Sequence, residues 1–442
     1  TPVMSYTLST GCFSVLPITV NPTPASIGGT ANACVGATST LTDATTGGTW
    51  TTSNPGIAGV GSATGIVTGV AAGTVTITYT LPAGCNTTTS FTVNPIPAGI
   101  TGATSVCVGG STTLANAVTG GSWTSSNTAI ATINAVSGLV IGGAAGIVTM
   151  TYTLPAGCFT TTSFTVNPTP ASITGTNNVC VGLTTTLADA TTGGTWTSSN
   201  TAIATIGSGT GTMTGASAGT ATITYTLPAG CNVTFPVTVN PNPSAIAGVT
   251  NVCVGSTTSL TDPTTGGTWT SSNNTLATIG SSTGVVNGLS AGVVTITYTL
   301  GTGCIATAPL TVNPLPSSIT GVTTVCVGLN TNLADASAGG TWSSSNIAIA
   351  TVGSGSGTVT GQSAGNATIT YTLPTGCLTT TGVTVNPSPA SISGAAFVCV
   401  GQTTTLSDAT TGGVWTSSNV ALATVGSLTG VVTGVRSEEH TS

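Results

Sequence analysis

Apolar and polar side chains alternate with a period of two along much of this chain. Thr220-Ala221-Thr222-Ile223-Thr224-Tyr225-Thr226-Leu227 puts Ala, Ile, Tyr and Leu on one face and threonines on the other, the pattern of a strand buried on one side. Between residues 170 and 240 seven such segments are predicted, at 171–175, 184–188, 195–199, 203–206, 211–215, 220–227 and 233–240. Turn signals separate them: Gly193-Gly194 stands before the segment carrying Trp196, Ser199-Asn200 after it, and Ala229-Gly230 before the last. No segment has helical periodicity.

The same pattern recurs every 73 residues. Cys12, Cys85, Cys158, Cys231, Cys304 and Cys377 keep that step, as do Cys34, Cys107, Cys180, Cys253, Cys326 and Cys399. So do Trp50, Trp123, Trp196, Trp269, Trp342 and Trp415, and Tyr6, Tyr79, Tyr152, Tyr225, Tyr298 and Tyr371. Asn-Pro-x-Pro closes each unit, as at residues 21–24 and 94–97. Two fixed φ angles and two missing donors stop strand pairing there and make short, stiff linkers. Complete domains are therefore expected at 24–94, 97–167, 170–240, 243–313 and 316–386. Residues 1–21 match the last two strands of a unit and residues 389–435 the first five. Both ends thus read as mid-domain cuts, with strand complementation between chains a less favoured reading. Seven short antiparallel strands around one Trp predict an all-β, immunoglobulin-like sandwich in each unit; a parallel β-helix needs a far shorter repeat.

Composition narrows the function. Among 442 residues there is one Lys or Arg, seven Asp or Glu and one His. Arg436, Glu438, Glu439 and His440 all fall at the end of the chain, so five Asp are the only charged side chains before them. General acid-base catalysis, Ser-His-Asp triads and His-based metal sites lack their residues, so neither an enzyme nor a cofactor is expected. A formal charge of −6 without a basic patch excludes nucleic acid and an anionic membrane surface as partners. No apolar run reaches the roughly 18 residues of a membrane-spanning helix, and no signal peptide opens the chain. A secretion signal is expected upstream. Threonine supplies roughly a quarter of the residues, which suits strands. A mean hydropathy of +0.47 runs against disorder.

Three recurring stretches carry a family resemblance. Val-Gly-x-Thr-Thr-x-Leu occupies residues 181–187, Trp-x-Ser-Ser-Asn-x-x-x-Ala-Thr-Ile residues 196–206, and a Gly- and Thr-rich stretch ending in Thr-Ile-Thr-Tyr residues 211–225, with equivalents in every unit. They resemble bacterial immunoglobulin-like domains of the second group, of the kind found in intimin- and invasin-type adhesins. The resemblance implies stalk modules, with ligand binding left to terminal domains. The paired cysteines depart from the commonest pattern of that family.

Twelve cysteines without histidine partners point to disulfides and an oxidising compartment. Zinc is the other reading, but these cysteines occur singly and never as Cys-x-x-Cys. One pairing bridges strands within a domain, Cys34 with Cys85. Cys34, however, precedes the second strand, at one end of its domain, while Cys85 follows the sixth, at the other. Seven or eight strand residues, roughly 25 Å, separate those ends, and a disulfide needs Cα atoms within about 7 Å. Pairs across domain junctions are therefore expected: Cys34 with Cys158, Cys107 with Cys231, Cys180 with Cys304 and Cys253 with Cys377. The intradomain pairing stays as the alternative.

Other recurring residues read as structural. The six tryptophans, Trp50, Trp123, Trp196, Trp269, Trp342 and Trp415, are expected in the core rather than stacked on sugars. Asp43, Asp189, Asp262, Asp335 and Asp408, with Asn116 at the remaining position, read as turn caps, since one carboxylate per unit makes a poor calcium site. Thr74, Thr76, Thr78 and Thr80 resemble an ice-binding ladder but fit ordinary strand patterning better. Asn-x-Thr sequons at Asn86, Asn232, Asn273 and Asn366 keep no common repeat position.

The resulting expectation is an extracellular or bacterial cell-surface rod or filament of tandem domains. It is stapled by disulfides, self-associates into fibres, and depends on covalent glycans or ordered packing to keep a nearly uncharged surface soluble. The stalk of a giant adhesin and a carbohydrate-binding region of a secreted enzyme are the alternatives. The match to the repeat holds through Val435, and residues 436–442, Arg-Ser-Glu-Glu-His-Thr-Ser, resemble a translated sequencing adapter. We expect that heptapeptide to be non-native. Sequencing source DNA across the junction should show repeat sequence after Val435, and a continuous genomic codon run through Ser442 would overturn this.

Overall fold

A computed structural model describes residues 1–437 of the chain; the expected non-native tail lies outside the described residues from position 438 onward. The described residues form no helix. The chain divides into two compact units, Thr1–Asn240 and Pro241–Ser442. The first holds the opening two-stranded sheet and the repeats at 24–94, 97–167 and 170–240. The second holds those at 243–313 and 316–386 and the closing residues from 389.

Within a repeat the strands are labelled β1 to β7. In residues 170–240 they are β1 (Asn178–Cys180), β2 (Thr184–Thr186), β3 (Thr195–Ser198), β4 (Ala204–Ile206), β5 (Thr212–Gly215), β6 (Gly219–Thr226) and β7 (Asn232–Asn240). One sheet runs β1-β7-β6-β3 and the other β2-β5-β4. The two sheets face one another over a core of Leu187, Trp196, Ala204, Met213, Ile223, Tyr225, Val237 and Val239. The chain is a series of immunoglobulin-like sandwiches, and the alternation of β6 is the reason: Ala221, Ile223 and Tyr225 are buried, and the intervening threonines are not.

Sequence reading places the first strand at 171–175 and makes every pairing antiparallel, and the structure corrects both. In residues 170–240 that segment contributes only the bridge from Thr174 to Ala188. In the repeats beginning at 24, 243 and 316 it is a two-residue strand, Gly28–Gly29, Ala247–Gly248 and Thr320–Gly321. The chain then crosses to the other sheet, where β1 pairs in parallel with β7, Asn178 to Cys180 opposite Thr238 to Asn240. Gly175, at φ +121°, makes the crossing; a Cβ there would meet the Thr186 carbonyl oxygen at 2.7 Å. A three-residue strand carries too little alternation to be seen in sequence.

Trp196 on β3 and Tyr225 on β6 are direct cross-strand neighbours, with ring centroids 4.6 Å apart and planes tilted by 44°. Such a pair adds about 0.5–1.5 kcal/mol beyond its burial. The Tyr225 hydroxyl donates to the Thr191 carbonyl at 2.7 Å and accepts from Gly194 N–H at 2.9 Å, tying the β2–β3 loop to the sheet. Trp50, Trp123, Trp269 and Trp342 repeat the stacking, and all five are at most 7% exposed. Trp415, expected in the core with them, is half-buried; among the described residues no strand equivalent to β6 follows it to supply a tyrosine. Conversely, Val3–Thr7 and Phe13–Pro17 form a two-stranded sheet whose residues, Tyr6 included, are exposed.

A Cβ on Gly194 would lie 2.5 Å from Tyr225 Cζ, so the loop closes over the ring only with glycine here. Gly194→Ala should destabilise its own sandwich by about 1–3 kcal/mol. Hydrogen exchange read by mass spectrometry should show faster exchange in peptides from 171–240 and unchanged exchange elsewhere.

Candidate functional site: the junctions between repeats

β1 ends at its cysteine, and a turn follows directly. In the repeat at 97–167, Val108 N–H donates to the Asn167 carbonyl at 2.9 Å and Gly110 N–H to the Cys107 carbonyl at 2.8 Å. Cys107 is thereby held at the end of the domain where β7 finishes. The hairpin joining β6 to β7 lies at the opposite end. Leu154 N–H donates to the Cys158 carbonyl at 2.8 Å and Gly157 N–H to the Leu154 carbonyl at 2.9 Å, while Gly157 takes φ +84°. This hairpin meets the preceding repeat, where Cys158 Sγ lies 4.0 Å from the Asn94 carbonyl oxygen.

These two turns carry the disulfides. In the first unit Cys34 is bonded to Cys158 and Cys107 to Cys231; in the second, Cys253 is bonded to Cys377. Each spans 124 residues with a Cα–Cα distance of 5.7 Å. Each joins the β1 end of one repeat to the β6–β7 hairpin of the next. Cys180 and Cys304 are disulfide-bonded as well. Cys158, Cys231, Cys304 and Cys377 are each 1% exposed, so the hairpin side of each staple is sealed from solvent. Cys12, Cys85, Cys326 and Cys399 are free thiols. Cys85 stays free although Cys34, in the same repeat, is oxidised, and Cys34 is bonded to the next repeat instead.

The profile of the bacterial Ig-like domain (group 2) matches residues 14–93, 160–234, 232–312 and 306–378. The chain belongs to this bacterial Ig-like family. No curated protein matches it. Among solved structures, the human desmocollin-1 ectodomain is similar at 10% identity, over 83% of this chain and 98% of that one, with a TM-score of 0.17. The S-layer protein rSbsC is similar at 20% identity, over 83% of this chain and 67% of that one, with a TM-score of 0.16. At such scores the likeness carries no functional argument.

The other candidates sit elsewhere. Asp43, Asp189, Asp262 and Asp335 each accept a hydrogen bond at 2.7 Å, through Oδ1, from the backbone N–H two residues on. Asp408 does so at 2.6 Å and Asn116 at 2.9 Å. In five repeats a Thr or Ser hydroxyl in the capped turn accepts a bond from residue 25, 171, 244, 317 or 390, so the cap anchors the incoming linker. Among the described residues no three His, Cys, Asp or Glu side chains gather as a metal site needs. Two open grooves lie on the second unit. One, of about 360 Å³, runs along the junction at Cys253, Asn313 and Gly376. The other, of about 310 Å³, lies beside Asp262, Trp269 and Tyr298.

Sequence reasoning missed the β1 strand that aims each cysteine. Val-Cys-Val-Gly in five of the six units, with Ala33-Cys34-Val35-Gly36 in the other, was the available signal: β-branched residues around the cysteine before a turn glycine.

Chemical mapping tests the pairing. Digestion with chymotrypsin and a second non-basic protease without reductant should yield peptides crosslinked 124 residues apart, while iodoacetamide labels only Cys12, Cys85, Cys326 and Cys399. Crosslinks 51 residues apart would place the bridges inside single repeats and sink this geometry.

Proposed function

We propose that this chain is a length of an extracellular structural rod, a disulfide-stapled array of Ig-like domains that forms part of a cell-surface appendage. The stapled junction carries the reading. Disulfides form and persist in oxidising compartments and are rare in reducing ones, and a crosslink between neighbours fixes their orientation where a bare Asn-Pro-x-Pro linker sets only their spacing. A sandwich of about 70 residues buries a small core, so each crosslink also supports domains with little stability to spare.

The work assigned to the array is mechanical, and no catalytic role is proposed for it. With strands of up to nine residues, each repeat advances the rod by roughly 35 Å. A nearly chargeless surface removes the repulsion that would keep neighbouring rods apart, which favours fibres of parallel chains; covalent glycans on threonine or asparagine are the other means of keeping such a surface soluble. The stalk of an adhesin uses the same array differently, to project a binding module, and is the second reading.

Antibodies against the array should label intact, unpermeabilised cells. Negative-stain images of the purified chain should show straight particles lengthening by roughly 35 Å per repeat, which become bent after reduction. Signal confined to the cytosol, or globular particles, would reject the proposal.

A further inference from the structure

Each disulfide skips most of two repeats, and what it leaves in line is nearly extended chain. In the first unit, a route that enters at Cys34 crosses to Cys158 and continues along β7 (Phe159–Asn167), through residues 168–177, to β1 (Asn178–Cys180). Cys180 is itself disulfide-bonded. These residues are strand and proline linker apart from the bend around Gly175, so the route holds little slack. A second route follows β7 (Asn86–Asn94) of the first complete repeat to β1 (Ser105–Cys107), crosses to Cys231 and runs on along β7 (Asn232–Asn240).

The parallel β1–β7 pairing acquires a meaning here. Ser105 to Cys107 on the second route pairs with Thr165 to Asn167 on the first, and Asn178 to Cys180 on the first pairs with Thr238 to Asn240 on the second. The two routes run side by side in the same direction, laced together once per repeat. The second unit contains the same parts: Cys253 bonded to Cys377, and parallel ladders at Asn251 to Cys253 and Thr324 to Cys326. Strands β2 to β6, which hold Trp196, Met213, Ile223 and Tyr225, lie on neither route.

We propose that the staples make this array a two-ply covalent cable, in which tension runs along β7, the linker, β1 and the disulfide, and bypasses strands β2 to β6 of each stapled repeat. The idea rests on the rod reading above and adds its mechanics. In an unstapled array of Ig-like domains, tension passes through every core and the rod lengthens as domains unfold. Here the crosslinks take the load first.

Single-molecule stretching of the 442-residue chain between its termini tests this. Counting the three disulfides Cys34–Cys158, Cys107–Cys231 and Cys253–Cys377, the shortest covalent route traverses about 170 residues, or about 600 Å, against about 1,500 Å for the reduced chain. The reduced chain should release steps of about 73 residues as repeats unfold. The oxidised chain should stop near the shorter limit without steps of that size, releasing at most the one segment of about 50 residues from Cys107 to Cys158 through which the load passes from one route to the other. Replacing both Cys34 and Cys107 by Ser should move the stop to about 1,100 Å. The limits hold even if reduction alone unfolds a repeat, because they count covalent chain. An oxidised chain that reaches the reduced length, or yields the same steps, would overturn the cable. A cable that holds in a protein absent from the cell surface would overturn only the proposed location.

Discussion

A disulfide closes only when two Cα atoms come within about 7 Å, and here that short reach decides how everything larger is arranged. Each repeat offers one cysteine at either end of a sandwich several strand residues long. The ends of one sandwich do not meet, whereas the facing ends of neighbours do. The crosslink therefore falls at the junction, at the same 5.7 Å Cα separation in all three pairs that join Cys34, Cys107 and Cys253 to the following repeat. The proline linker, the β1 crossing and the parallel β1–β7 ladder all serve to deliver β1 and its cysteine to that position.

Inside each sandwich the organising contact is the Trp–Tyr pair. It fills the centre of the core, and the tyrosine hydroxyl closes the β2–β3 loop through Thr191 and Gly194 in the central repeat. This is the reason a glycine must precede the tryptophan's strand, and it accounts for the half-buried state of Trp415, which lacks a tyrosine neighbour. The cores are small and nearly alike from repeat to repeat.

The chemistry the chain lacks is as informative as what it contains. With five carboxylates as its only charged side chains before Arg436, and those seated singly in turns, the repeats present backbone, hydroxyl and methyl groups to their surroundings. The recurring Asp or Asn is accounted for by the turn it caps. In the central repeat Thr191 joins the parts: Asp189 caps its N–H, its hydroxyl accepts from Ala171 N–H of the incoming linker, and its carbonyl accepts from the Tyr225 hydroxyl.

The sequence by itself determined the repeat, its length, the strand alternation, the buried tryptophans of the complete units and the limits on chemistry, because each is a local or strictly periodic property written at fixed spacing. Its strand-direction argument already pointed across the junction, since the direction of a strand is fixed by order along the chain. The crossing of the first strand at Gly175, the parallel β1–β7 ladder and the side-by-side course of the two stapled routes were decided only in three dimensions. They depend on which edge of which sheet a three-residue segment reaches, and such a segment has too few residues to show a period. Residues 178–180 have almost no pattern of their own, and the pairing with residues 238–240 that gives them their role lies 60 positions away.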